Sequence, residues 1–406
     1  MSETNQVRSS IAGKSFFLIF ALLFNTLTWF YMMWVIIDSA LGGLQGVHIQ
    51  VSIIWALFYT AVVVSGIFGS TLSNKLRTLR FLCFWVLSGI VSSLLLILFD
   101  SVDVTCASII SLFSGFSFGV GMPSLLTFLG DFTNIENRGR SAGIIFLAIN
   151  VSSPIFAVLV ENFDLTTISI VSATWRGLAL VLFLFLKTPP RAKETAKTFS
   201  FLSVFQDRAF ILYFVAWMLF CFVDNFEKLI LGNPAVLEAD FYSSMLMIEA
   251  IIGSIFGFVG GWLCDFIGRK RVVIYGFVTL GLAYAIISIA PTTISWYLYF
   301  VVDGISFGML WVAFFFVLWG DLSQQGGREK YYAIGSAPYF LAPLTRVILA
   351  PFVAFPAYAT FSLASFFLFL AVLPLMYAPE TLPEKKIELR RLKKYVEEAR
   401  KVKKKA

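Results

Sequence analysis

The sequence predicts an all-α membrane protein: twelve transmembrane helices arranged as two pseudo-symmetric six-helix bundles. Three observations carry that expectation. Hydrophobic residues make up 59% of the 406-residue chain and charged residues only 14%, with a mean hydropathy of +0.85. A soluble domain holds about 25% charged residues, so this inventory cannot cover a water-facing surface. The apolar residues come in continuous runs of the roughly 20 residues that cross a ~30 Å hydrocarbon core, not in the short alternating segments of a β-barrel. Finally, the chain repeats itself. Gly130-Asp131, followed seven residues later by Arg138, returns 190 residues on as Gly320-Asp321 and Arg328. Gly115-x-x-Phe118-Gly119 returns as Gly304-x-x-Phe307-Gly308, Pro154 is echoed by Pro343, and Pro189 and Pro379 each close an apolar run. A chain written twice between membrane-length segments fits a two-bundle carrier.

Taken in order, the apolar runs fall near 15–40, 49–73, 78–99, 104–130, 141–161, 165–187, 208–231, 241–264, 271–290, 293–319, 331–352 and 354–378. The net charge of +7 could point to nucleic acid, but the positions of the charges reject it. Segments 1–15, 74–80, 132–140, 187–208, 266–271, 322–330 and 379–406 hold 28 of the 31 Lys and Arg residues. Basic turns on alternate loops orient a membrane protein with those turns inside, which predicts cytoplasmic termini at the plasma membrane. The expected organisation is an N-terminal bundle 1–187, a cytoplasmic loop 188–207, a C-terminal bundle 208–378 and a basic cytoplasmic tail 379–406. Residues 384–406 alternate charge with Leu and Val at helical spacing, either as an amphipathic helix on the membrane surface or as a solvated helix.

Other classes find little support. Cys83, Cys106, Cys221 and Cys264 are scattered, without metal-ligand spacing, and read as small packed apolar groups. The single histidine, His48, lies at an outer boundary. No metal, cofactor, catalytic motif or removable signal peptide is expected, and no phosphate-binding loop that could power a pump.

Gly261-Trp-Leu263-Cys-Asp265-Phe-Ile-Gly268-Arg269-Lys270-Arg271 matches the G-x-L-x-D-x-x-G-R-K-R signature of the major facilitator superfamily, on the turn between spans 8 and 9. The chemistry suits the place: Gly261 permits close helix approach and Gly268 a tight reversal. The Asp131…Arg138-Gly139-Arg140 turn resembles the family's acidic-then-Arg-Gly signature after span 4, and Pro379-Glu380-Thr381 resembles the ending of sugar porters. The resemblance implies the superfamily's fold. It also implies that Gly261, Asp265, Gly268, Arg269, Asp131, Arg138, Asp321 and Arg328 form a gate that latches the two bundles. The first copy, Ser70-Thr-Leu72-Ser-Asn74, has Asn for the aspartate and Arg77 in place of the second glycine, which predicts a weaker latch in the N-terminal half.

Ionisable groups inside spans cost at least ~2.5–3.5 kcal/mol at the bilayer centre, so each requires a partner or a watery cavity. The candidates are Arg176, Asp224, Glu249, Asp303 and Arg346. Asp303 or Glu249 is expected to take and release a proton against Arg346; the alternative is a permanent ion pair. Arg176 either pairs with neighbouring helices or anchors an anion. Asp224, Glu227 and Lys228 sit near the outer end of span 7, hydrated or forming an outer gate. Asn25, Thr26 and Thr28 with Trp29 on span 1, and Asn150 on span 5, suit a sugar-like ligand through hydrogen bonds and ring stacking, or else a satisfied helix interface.

Together these readings predict a monomeric secondary transporter, not an enzyme, working by alternating access on a small solute, with H+ as coupling ion. Symport of a sugar-like or organic-acid metabolite is the leading reading. A drug or metabolite exporter, and a transport-dead sensor, remain open beside it.

Overall fold

The computed structural model describes residues 3–42, 48–75, 78–101, 103–185, 200–234, 236–323, 326–349 and 357–382. Most of the central loop (188–199) and of the tail (383–406) lies outside the described residues, as do Pro351 and the side chains of His48 and Arg346. Every regular element among the described residues is helical.

Twelve long helices follow in order. The first six are α1 (Glu3–Gly42), α2 (His48–Lys75), α3 (Thr78–Leu95, extended by a 3-10 turn), α4 (Val104–Phe132), α5 (Arg138–Asn162) and α6 (Leu165–Phe185). A short helix, Phe201–Gln206, precedes α7 (Arg208–Leu231), α8 (Ala239–Ile267), α9 (Arg269–Ile289), α10 (Thr293–Leu322), α11 (Arg328–Leu349) and α12 (Ala357–Tyr377). Eleven of the twelve are long and apolar enough to span a bilayer. The exception among the described residues, α11, matches them in length but is less apolar along its whole course, with Tyr331, Tyr332, Ser336, Pro338, Tyr339 and Pro343 within it. Isoleucine, leucine and phenylalanine stay exposed along the outer faces, for example Ile109, Val151, Ile251 and Phe366, as lipid contact requires.

Helix ends are fixed by local chemistry. Asp103 caps α4 by accepting the Cys106 amide at 3.0 Å, and that bond holds its carboxyl below the usual carboxylate range. Asp207 caps α7 through Ala209 at 2.9 Å. Between α8 and α9 the reversal is a single residue, Gly268, at φ +107°, a conformation open to glycine and strained for other residues.

Each bundle is built around one tight crossing, and the two crossings correspond. A Cβ on Gly115 or Gly119 of α4 would strike the Phe58 or Val62 carbonyl of α2; one on Gly304 or Gly308 of α10 would strike the Glu249 or Gly253 carbonyl of α8. The repeated Gly-x-x-Phe-Gly element is thus the contact that lets backbones touch in each half, where association in lipid depends on close packing. Across the halves, α5 packs on α8 and α2 on α11, also related by the repeat. Pro338 and Pro343 lie inside α11, and Pro154 lies inside α5.

Substituting Gly308→Leu forces the α8 and α10 backbones apart, an overpacking of about 1–3 kcal/mol. The expected outcome is a lower melting temperature in detergent, followed by tryptophan fluorescence, with Gly119→Leu giving the same loss in the other half.

Candidate functional site

Between the two halves lies a cavity of about 440 Å³. From α1 it receives Leu27, Phe30, Tyr31 and Trp34, and from α5 Asn150 and Ser153. The other half contributes Asp224, Asn225 and Lys228 of α7, Phe307, Trp311 and Phe315 of α10, and Tyr339, Phe340 and Pro343 of α11. The walls are largely aromatic with a few polar groups, the usual make-up of a small-molecule site. Its floor is a cluster of rings drawn from both halves. Phe30 stacks on Phe118 at 3.8 Å, and Phe340 meets them edge-on at 6.0 and 5.7 Å. Trp34 donates to the Tyr59 hydroxyl at 3.0 Å higher in the wall.

The charged wall is α7. Lys228 pairs with Asp224 at 2.8 Å and lies over the Phe307 ring at 5.8 Å, while Asn225 donates to Asp224 at 3.4 Å. Asp224 and Glu227 are 7% and 2% exposed, so they are buried in the bundle and not hydrated at its outer end as the sequence had left open. Behind the wall, Tyr299 donates to Glu227 and lies 3.4 Å from the Tyr284 hydroxyl. Asp303 is buried with Oδ2 unpartnered, and Glu249 and Asp303 stand within electrostatic reach of Asp224, Glu227 and Lys228. Neither Glu249 nor Asp303 lines the cavity. Arg346, the expected counter-charge, has its side chain outside the described residues; the cation described beside these acids is Lys228.

Asn25, Trp29 and Arg176, for which both solute contact and a helix interface were open, do not line the cavity. They form a closed cluster inside the N-terminal bundle. The Arg176 guanidinium is fully buried between the rings of Trp29 (4.5 Å) and Trp85 (4.4 Å) and donates to Thr26 at 2.8 Å and Asn25 at 3.4 Å. Its Nε and Nη2 have no partner. Asn25 donates to the Trp175 carbonyl at 2.5 Å, and Trp175 donates to Thr28 at 3.0 Å. Helical periodicity explains the outcome: Leu27, Phe30, Tyr31 and Trp34 share one face of α1, and the amide and hydroxyl residues fall on the other.

Below the floor, the basic face is closed by the repeated Gly-Asp…Arg elements, which exchange partners. Arg138 of α5 pairs with Asp321 of α10, and Arg328 of α11 pairs with Asp131 of α4. Each arginine also bonds to a hydroxyl two residues beyond an aspartate of its own half: Arg138 to Thr133 at 3.2 Å, Arg328 to Ser323 at 3.2 Å. A second layer holds the signature turn. Asp265 accepts the Gly139 and Arg140 amides at 2.9 and 2.8 Å, so its carboxylate sits on the N-terminus of α5, and it meets Arg269 at 3.2 Å. Arg269, wholly buried, reaches Asp321 at 2.9 Å. Gly261 lets α8 approach so closely that a Cβ there would strike the Gly139 carbonyl.

Two groups of contacts were not foreseen. Glu380 caps α9 through the amides of Arg269 (2.9 Å) and Lys270 (3.2 Å), and Thr381 donates to Asp321 at 3.2 Å, which gives Pro379-Glu380-Thr381 a place in the latch. In the N-terminal half, where the signature has lost its aspartate, Ser73 donates to the buried Glu329 at the start of α11. The latch there survives through different residues.

Removing one partner of a buried ion pair costs about 3–5 kcal/mol, and every 1.4 kcal/mol changes a two-state population tenfold. Asp321→Asn strips a partner from both Arg138 and Arg269 and is expected to open the basic face. Ala333→Cys, 4% exposed on α11, then reacts faster with a maleimide applied from that side. Asp131→Arg alone has the same effect, and adding Arg328→Asp restores protection in part.

Comparison with known proteins fits this architecture. Residues 230–405 match the family model of the Major Facilitator Superfamily. No curated protein matches the sequence significantly. Among solved structures, the proton:xylose symporter XylE bound to 6-bromo-6-deoxy-D-glucose superposes with a TM-score of 0.75 at 15% identity, covering 91% of this chain and 97% of that one. FucP in the outward conformation gives 0.72 at 13% identity, covering 90% and 98%. The human organic anion transporter MFSD10 (TETRAN) gives 0.68 at 13%, covering 90% and 99%. At these identities the likeness is one of fold, and it spans both halves, while the family match falls on the half that carries the intact signature turn. Residues 230–405 thus resemble the Major Facilitator Superfamily in sequence, and the chain shares the fold of these solved transporters over both halves.

Proposed function

We propose that the chain is a monomeric secondary active transporter of the plasma membrane that carries a sugar-like or polyol solute in symport with protons. The observation that carries this reading is a cavity enclosed between two related halves and sealed at one end by exchanged ion pairs. With the basic turns in the cytoplasm, the described conformation is closed to the cytoplasm. Asn150, Ser153 and Asn225 offer hydrogen bonds among aromatic faces, a combination suited to a polyhydroxylated ring. The cavity cation Lys228 is matched by Asp224, so the wall presents no surplus charge to attract an anion. Arg176 lies outside the cavity, which takes from the organic-acid reading one of the two arginines on which it depends.

Coupling rests on the acids of the C-terminal half. Asp224, Glu227, Glu249 and Asp303 outnumber the lysine beside them, and a low-dielectric cluster of that kind keeps charge balance by carrying protons. Asp303 or Glu249 takes the transported proton in this reading. Solute binding at the Asp224–Lys228 pair changes the field on the acids behind it, and the latch on the cytoplasmic face then exchanges its partners for water as the halves rock.

Uptake of radiolabelled sugars, polyols and organic acids into proteoliposomes under an imposed proton gradient tests the function directly. Accumulation of a sugar or polyol supports the proposal. Accumulation of an acid alone, efflux driven by an inward gradient, or binding without movement would replace it with an anion carrier, an exporter or a sensor. Asp303→Asn and Glu249→Gln are expected to abolish uphill uptake while leaving counterflow; loss of both activities together would reject a pure coupling role. Ligand at about 100 times its Kd adds ~2.7 kcal/mol of stability, so a substrate is expected to raise the melting temperature of purified protein.

A further inference from the structure

We propose that Arg176 is a positioning residue: from outside the cavity it fixes the rotation of α1 and so decides which face of that helix a solute meets. The inference concerns the same cavity as the transporter reading and rests on it for its consequence, but the geometry stands apart from transport.

α1 carries two opposed faces. Leu27, Phe30, Tyr31 and Trp34, spaced i, i+3, i+4 and i+7, line the cavity. Asn25, Thr26, Thr28 and Trp29 are 3%, 1%, 0% and 0% exposed and turn towards α3 and α6. Neighbouring residues of α6 grip this polar turn. Arg176 holds Thr26 and Asn25, and Trp175 holds Asn25 by its carbonyl and Thr28 by its indole. Trp29 is tied to α3 through Ser93 at 2.8 Å, and Ser93 stands 3.2 Å from Ser172 of α6.

At the centre lies a guanidinium without a carboxylate, two of its nitrogens unpartnered, clasped between Trp29 and Trp85. A well-packed apolar side chain would fill such a site at lower cost than a buried cation. What it could not supply is direction. A planar fork stacked on two rings and bonded to a third point admits one orientation of its neighbours, whereas apolar packing lets a helix turn about its axis. Gly89 of α3 belongs to the same arrangement: a Cβ there would come within 2.9 Å of the Arg176 Nε. A turn of α1 would carry Phe30 out of its stack on Phe118 and Tyr31 out of the cavity wall.

Cysteine reactivity reads this rotation without any substrate. With the exposed Cys106 changed to Ser, Tyr31→Cys on the cavity face and Met33→Cys on the buried face are compared using a membrane-impermeant maleimide applied from the outer side. In otherwise unaltered protein, Tyr31→Cys reacts and Met33→Cys, at a position 0% exposed, does not. Adding Arg176→Met is expected to collapse that contrast, Arg176→Lys to restore part of it, and Thr26→Val to weaken it, while labelling of Ala333→Cys at the latch stays unchanged. If Arg176→Met fails to give monodisperse protein, Thr26→Val decides. An unchanged contrast in the variants that fold overturns the proposal, as does equal loosening at the latch, which would mark general destabilisation. Collapse of the contrast in a protein that moves no solute upholds the positioning role and rejects transport instead. In a transporting protein, Arg176→Lys is expected to raise the KM for the accumulated sugar with little change in maximal rate.

Discussion

Two aspartates and two arginines, each bonded to the opposite half, set the state of this molecule. Had Asp131 paired with Arg138 and Asp321 with Arg328, neither pair would have crossed from one bundle to the other, and the ties between the halves would have rested on Asp265 with the Gly139 and Arg140 amides and on Ser73 with Glu329. Because the partners are exchanged, these two ion pairs form only when the two basic ends are together, while Asp321 also keeps Arg269 of its own half. The aromatic floor depends on the same closure, since Phe30 and Phe118 come from one half and Phe340 from the other. The cavity exists above that floor. Ion pairs at a boundary with water suit this role: they hold when assembled, yet each member can be hydrated when the halves part.

The two halves share a scaffold and divide the chemistry. The glycine-mediated crossings of α2 with α4 and of α8 with α10 are equivalent, and so are the swapped pairs. Buried charge is not. The N-terminal bundle holds a guanidinium clasped by tryptophans and hydroxyls. The C-terminal bundle holds Asp224, Glu227 and Asp303, together with the Glu249 carboxyl and the Lys228 ammonium. One half thus buries a single cation among rings and hydroxyls, and the other a group of carboxyls beside one lysine.

Much of this was legible from periodicity and position. Apart from α1, whose helix begins well before the expected run, the spans read from apolar runs end within a few residues of the described helices, because the boundary between lipid and water is written in the chain itself: α5 runs 138–162 against an expected 141–161, and α7 matches at 208–231. The latch residues Asp131, Arg138, Asp265, Arg269, Asp321 and Arg328 were identified from repeat and motif, since charged residues at membrane-length intervals have few other uses. Which aspartate pairs with which arginine was not legible, because the exchange is a property of how the halves meet. Mid-depth polarity left two readings open for Asn25, Trp29 and Arg176, since depth along a helix says nothing of the direction in which a side chain points. Phe118 was in view as part of the repeated Gly-x-x-Phe-Gly element; its role in the floor appeared only with α1 and α11 beside it.

By itself, then, the sequence determined the solvent of this protein, the number and order of its helices, the doubling of its halves and the face that carries its charge, because each follows from local composition repeated along one dimension. Of its 31 basic residues all but Arg176, Lys228 and Arg346 fall in the chain segments expected on that face, which already marked where charge enters the apolar spans. Tertiary structure alone decided that Arg176 is enclosed within one bundle while Lys228 opens on the cavity, and that a serine and a glutamate replace the missing aspartate of the first signature. Those outcomes turn on the rotation of one helix against another, and residues far apart in the chain set that angle through contacts that no local pattern records.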